Sequence, residues 1–261
     1  AAAASGAYTV EEGTLLLCHF LRVCRGLVED DGAMAAVALN ASTARGVLIG
    51  KEDLLGVCVD SSPEQVVIGG DRSMLVELTA SLVNDGVEIR SVPAAVAPHS
   101  PLARRQGPRL IAALPRITAR PPRVPWISTV TAAPLAAADL NAEYWAKNLG
   151  ETNRFREAVA RLCEAGCDAF VQMSCSPVMN GALAANLAAM GQGGQVLATM
   201  IRDATDAGVM LESVASLWVL GRASRPPVAP PPRPAPASGR TLILPLSAAT
   251  ARTASMVRQP T

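Results

Sequence analysis

Apolar residues recur at helical spacing across residues 11–27, through Leu15, Leu16, Leu21 and Val23, and predict a first helix. Glu11 and Glu12 fall in its first turn, where the helix dipole favours negative charge. At Gly32 the period changes. Residues 33–39 read as a strand, 42–49 as a short helix and 54–59 as a second strand. Ser61-Ser62-Pro63 signals a turn, and residues 65–68 return as the second strand of a hairpin. Asp71 caps a helix that reaches Val83, with Leu75, Leu78 and Leu82 on its apolar face. Asn84-Asp85-Gly86 stops that helix, and residues 87–92 form one more strand. The β-α-β-β-α-β order is that of the split ferredoxin-like unit.

Beyond Pro93, a loop holds His99, a helix covers residues 102–114 and a strand covers 124–130. Residues 139–145 begin another helical stretch, and 155–165 make an amphipathic helix that Gly166 ends. A buried strand at 169–173 runs into the turn Ser174-Cys175-Ser176-Pro177, and helices at 178–190 and 208–220 flank a strand at 195–201. Alternating strands and helices place the chain in the α/β class. From Arg222 the stretch RASRPPVAPPPRPAPASGR excludes helix and central strand, because proline has no amide donor and a fixed φ. It reads as an extended spacer, and the strand-like TLILPL after it opens a further module. A chain that starts at a helix with no strand before it reads as a window cut from a longer, multidomain protein.

Half of the 261 residues are hydrophobic, 17% are charged and the net charge is +1, so the chain can bury a core and has no electrostatic reason to bind nucleic acid. No apolar run reaches the roughly 20 residues that cross a bilayer, and the N-terminal AAAASGAYTVEEG lacks the basic and apolar regions of a secretion signal. The six cysteines are scattered without a CxxC pair, and only His19 and His99 could join them, so no metal site is expected. Reduced cysteines in a cytoplasmic protein follow from that reading.

Candidate chemistry is sparse. His99, in VPAAVAPHSP at a domain junction, is placed for general-base work near neutral pH, although a histidine taken alone reads more readily as a surface or capping residue. His19 sits mid-helix among apolar neighbours and reads as structural. No GxSxG occurs, so the strained elbow that exposes a catalytic serine is absent from these residues. Ser174 and Ser176 read as turn residues, and nothing near Cys175 would depress its pKa.

Seven blocks in order carry a resemblance: SGAYTVEEG, GAMAAVAL, SSPEQVVIGGD, VPAAVAPHSP, VPWISTVT, AEYWAKNLGETNRFREAVARL and FVQMSCSPVM. Together they resemble the acyltransferase domain of modular polyketide synthases over residues 1–221. The resemblance implies a partial α/β-hydrolase-like large subdomain (residues 1–31 and 97–221), an inserted ferredoxin-like small subdomain (32–96), and a linker with the start of the next module (222–261). It also implies a Ser-His ping-pong reaction, in which a GHSxG serine takes an acyl group from coenzyme A and passes it to the phosphopantetheine thiol of an acyl carrier protein. No cofactor is then bound by the chain itself; phosphopantetheine arrives on the carrier protein, and neighbouring synthase domains are further partners. His99 matches the catalytic histidine, and Asn148 in YWAKNL matches the position whose carbonyl orients it. The serine is expected upstream of Ala1, which leaves the isolated chain unable to form an acyl-enzyme.

Three departures bear on the substrate. Phe20 stands where extender-unit acyltransferases carry the arginine that pairs with the malonyl carboxylate, and an apolar ring removes that bidentate partner. The specificity motif reads Val96-Ala97-Pro98-His99, against YASH in methylmalonyl selectors and HAFH in malonyl selectors. The SPHP turn is here Ser174-Cys175-Ser176-Pro177. Phe20 favours an uncarboxylated starter, whereas the small Ala97 leans toward a branched extender. A degenerate acyltransferase that serves as a scaffold for carrier-protein docking is the alternative, and a hydrolase using the same dyad is a third. Exposed apolar faces and strand edges predict poor solubility of the isolated chain.

Overall fold

The structure is a computed structural model that describes residues 1–27, 30–94 and 96–222. The proline-rich stretch from residue 223 onward and the strand expected at 241–246 lie outside the described residues. Helix α1 (Val10–Gly26) starts at a reciprocal capping box: the Thr9 hydroxyl accepts from the Glu12 amide at 3.1 Å, and the Glu12 carboxylate accepts from the Thr9 amide at 2.7 Å.

Strand β1 (Gly32–Val37), helix α2 (Ala41–Val47), strands β2 (Leu55–Ser62) and β3 (Gln65–Asp71), helix α3 (Arg72–Asn84) and strand β4 (Ile89–Val92) follow in the expected order. The strands form one antiparallel sheet in the order β2-β3-β1-β4. Alternation along each strand sends Val37, Val57, Val66 and Ile68 to one face, where they pack on Ala44 of α2, on Leu48 directly after it, and on Leu75 and Leu78 of α3. Met34 and Cys58 face the other way and meet Ala97. Ser61 and Ser62 belong to β2, so the hairpin turn is tighter than expected and consists of Pro63 and Glu64. Within β3, Gly70 sits at φ +147°, where a side chain would overlap the Leu54 carbonyl.

The single helix expected over 102–114 is two: α4 (Pro101–Arg105) and α5 (Gly107–Ala113). Pro108 has no amide to give the preceding turn, so the helix restarts there. The strand expected at 124–130 shrinks to β5 (Ile127–Ser128), paired with β6 (Ala133–Pro134). Pro121, Pro122 and Pro125 offer no ladder donors, and the amides of Arg123 and Val124 are taken by the Ser5 carbonyl at 2.7 and 3.3 Å. A 3-10 turn (Ala137–Asp139) precedes helix α6 (Ala142–Gly150), which Asn141 caps by accepting from the Tyr144 amide.

Helix α7 (Phe155–Glu164), strand β7 (Ala169–Gln172), helix α8 (Asn180–Ala189), strand β8 (Gln195–Ala198) and helix α9 (Asp206–Val219) complete the described chain, with β7 and β8 parallel. The expectation that β7 is buried fails: its residues are half-buried or exposed, because β8 is its sole strand neighbour among the described residues. The architecture is a mixed α/β fold, and no helix among the described residues is long and apolar enough to cross a membrane.

Candidate active site at the His99 loop

His99 lies between β4 and α4 in a left-handed backbone conformation, φ +63°. For a residue with a Cβ that conformation costs about 1–2 kcal/mol and persists only where neighbours fix it. They do. Its amide donates to the Leu149 carbonyl at 2.8 Å, and its ring Nδ1 lies 3.0 Å from the Glu151 carbonyl. The next residue, Ser100, is buried; its hydroxyl donates to the Ala97 carbonyl at 2.6 Å and accepts from the Ala103 amide at 3.3 Å, capping α4. Helix α4 then seats against the end of α6 at Gly150, where a Cβ would come within 2.6 Å of the Arg104 Cα. Glycine at 150 is what lets the Leu149 and Glu151 carbonyls reach the His99 loop.

A carbonyl oxygen only accepts, so Nδ1 carries the proton and Nε2 keeps its lone pair. Burial pushes the His99 pKa below its ordinary value, a trend the Glu151 and Asn148 carbonyls partly oppose by favouring the cation. A neutral imidazole that keeps the Nε2 lone pair near pH 7 has the chemistry to accept a proton. It borders a cleft of about 470 Å³ whose other walls include Leu55, Gly56 and Val57 of β2, Arg45, Arg104 and Thr152.

A strap formed by residues 152–154 fastens this cleft. The Thr152 hydroxyl donates to the Val57 carbonyl at 2.7 Å, the Asn153 amide to the Cys58 carbonyl at 2.8 Å, and the Asp60 amide to the Asn153 carbonyl at 2.9 Å. Next to it, Arg156 reaches both carboxylate oxygens of Asp60, with contacts of 3.0–3.2 Å. The Asp60 side chain is only 2% exposed, and Arg156 is 41% exposed.

Of the other residues singled out from sequence, Val96, Ala97 and Pro98 precede His99 in the same loop, and Asn148 directly precedes Leu149, whose carbonyl takes the His99 amide. Phe20 on α1 and Val96 are half-buried against one cluster formed by Val23, Leu27, Ala103, Leu110 and Leu149. Asn148 is half-buried on α6, and the carbonyl that meets hydrogen-bond geometry with Nδ1 is that of Glu151. Ala97 is buried against Gly32, Met34 and Cys58, and Pro98 is half-buried. His19 is half-buried on α1. Ser174 donates to the Ser176 carbonyl at 2.6 Å, as a turn residue does. Burial pushes the Cys58 and Cys24 thiols up to about 12 and about 11, so neither is a nucleophile near neutrality. No group of three metal-ligating side chains occurs among the described residues. The Glu151 acceptor left no trace in sequence, because a main-chain carbonyl is independent of residue type.

Residues 1–223 match the family model described as the acyl transferase domain. Erythronolide synthase EryA2 of Saccharopolyspora erythraea is 35% identical over 223 residues, which are 85% of this chain and 6% of that protein. Spectinabilin polyketide synthase system protein NorC of Streptomyces orinoci is 34% identical over 221 residues, 85% of this chain and 10% of that protein. Among solved structures, the acyltransferase domain from module 8 of the salinomycin polyketide synthase superposes with a TM-score of 0.81 at 32% identity, covering 85% of this chain and 52% of that one. A loading acyltransferase from the avermectin modular polyketide synthase gives 0.75 at 28% identity, over 84% of this chain and 69% of that one. This chain thus spans a small fraction of the synthases and about half of the first solved domain. It belongs to the acyl transferase domain family, in the form carried by modular polyketide synthases.

Proposed function

We propose that His99 is the general base of an acyl transfer from coenzyme A to the phosphopantetheine thiol of an acyl carrier protein. The observation that carries this reading is the 3.0 Å contact between the His99 Nδ1 and the Glu151 carbonyl, which holds the proton on Nδ1 and leaves Nε2 its lone pair. In the first half-reaction, Nε2 takes the proton of a serine hydroxyl as that oxygen attacks the thioester carbonyl, and coenzyme A leaves as its thiol. In the second, Nε2 takes the proton of the phosphopantetheine thiol, whose sulfur attacks the serine ester; the serine leaves and regains a proton. The serine is supplied by sequence outside residues 1–261, which contain no GxSxG. The four-stranded sheet with α2 and α3 acts as a ferredoxin-like small subdomain, and the remainder as part of an α/β-hydrolase-like large one. Their junction holds the cleft.

Phe20 sits within an apolar cluster, so its position offers no guanidinium to a substrate carboxylate, which favours an uncarboxylated acyl donor. The full-length protein that carries this chain, incubated with malonyl-, methylmalonyl- and unsubstituted acyl-coenzyme A, tests both points by intact-protein mass spectrometry. The expected result is a covalent adduct of the unsubstituted acyl mass, lost in His99→Ala. An adduct with malonyl or methylmalonyl mass overturns the donor assignment. No adduct from any donor in folded protein overturns the enzyme reading in favour of a docking scaffold.

A further inference from the structure

Two helices from distant parts of the sequence bring three guanidinium groups to one depression of about 320 Å³, walled by Arg22, Arg25, Gly26 and Arg109. Arg22 and Arg25 come from the last turns of α1, and Arg109 from α5. Eight arginine–carboxylate pairs occur among the described residues, and none of them involves these three. Arg109 crosses directly above Gly26: a Cβ at that position would lie 2.9 Å from the Arg109 Nη1. Glycine therefore opens the floor over which the third guanidinium swings in. Dipole compensation accounts for one cation at the end of α1, since Arg25 is already in the last turn. It does not account for a second one on the same helix and a third from α5. Among the described residues Arg109 makes no hydrogen bond to a carbonyl at the end of α1, so it is not a helix cap.

Like charges gathered around one hollow repel each other unless an anion sits between them, and planar guanidinium forks match the oxygens of phosphate in pairs. We propose that Arg22, Arg25 and Arg109 form a binding site for a phosphate-class anion, separate from the His99 cleft. The chemistry is shared by a free phosphate or pyrophosphate and by the phosphate groups of coenzyme A, and the probes distinguish them.

The test uses the whole chain labelled with 15N and follows arginine Nε–Hε resonances during titration with sodium pyrophosphate at constant ionic strength. The expected result is saturable shifts of the Arg22, Arg25 and Arg109 signals, with apparent affinity falling at least tenfold in Arg109→Ala and in Gly26→Val, and unchanged in His99→Ala. Arg109→Lys keeps the charge but loses the fork, and is expected to bind weakly. Coenzyme A and its 3′-dephospho form follow as paired probes: tighter binding of the former assigns the site to its terminal phosphate, and equal binding to a diphosphate. Linear, non-saturating shifts equal to those from sodium chloride overturn the proposal, as does binding that Arg109→Ala leaves intact. Because the His99→Ala arm is read without any transfer reaction, failure of the site and failure of the acyltransferase reading give separate results.

Discussion

Removing Arg156 leaves the Asp60 carboxylate buried without its guanidinium, and the structure sets the scale of the damage. Asp60 is 2% exposed and takes contacts of 3.0–3.2 Å from Arg156 at both oxygens, so its charge is desolvated and depends on that partner. Breaking such a pair from one side costs about 3–5 kcal/mol when both ions are buried. Arg156 is 41% exposed, so water already carries part of the interaction, and the lower end, about 3 kcal/mol, applies to Arg156→Met. That corresponds to roughly a hundredfold change in the folding equilibrium. Urea unfolding followed by tryptophan fluorescence measures it, with Asp60→Leu and the double variant Asp60→Leu/Arg156→Met completing a cycle. The double variant is expected to lose far less than Arg156→Met alone, because no orphan charge remains. A loss below about 1 kcal/mol in Arg156→Met, or a double variant as unstable as the single one, would mean that the Asp60 carboxylate does not depend on Arg156. The pair lies beside the strap that joins residues 152–154 to β2, so the same variant is expected to loosen the cleft next to His99.

Gly70→Ala forces a side chain onto the Leu54 carbonyl at φ +147°, and a loss of about 3 kcal/mol, read as a lowered thermal midpoint, is expected. Leu110→Ala empties a fully buried position between α1 and α6; about 2–5 kcal/mol is expected in urea, whereas the exposed Ile49→Ala on the same assay changes little. His99 has a folded pKa below its unfolded value, so the unfolded state binds more protons between the two. Stability therefore rises with pH through the window from the lowered pKa to about 6.5 and is lost as pH falls, and His99→Gln removes that share of the dependence. Gly150→Val pushes α4 from α6 and is expected to release the Nδ1–Glu151 contact, seen as a mixture of imidazole tautomers by 15N NMR.

Helices with long apolar faces and the four-stranded unit were legible because their signal is local: Leu75, Leu78 and Leu82 declare one face of α3, and strand alternation from Gly32 declares the sheet. Boundaries failed where proline acts through hydrogen bonds that periodicity does not see. Residues 124–130 look strand-like by side chain, yet the Val124 amide goes to the Ser5 carbonyl, Pro125 has none to give, and the Val130 amide goes to the Ser128 hydroxyl. The apolar run at 169–173 reads as buried, but burial depends on what lies against it, and β7 has one strand beside it among the described residues. At the site, His99 could be named from its loop and motif. Its tautomer could not, because Glu151 holds it through a main-chain oxygen. The arginine group was invisible for another reason: Arg109 is more than 80 positions from Arg22 and Arg25, and only the packing of α5 on α1 brings them together.

The role of His99 as base is tested most directly by the pH dependence of acyl-enzyme formation in the full-length protein. The expected rate climbs tenfold per pH unit below the lowered His99 pKa, levels off above it, and falls by about 10²–10⁴-fold in His99→Ala. A rate that His99→Ala leaves unchanged, with the same pH profile, would contradict it.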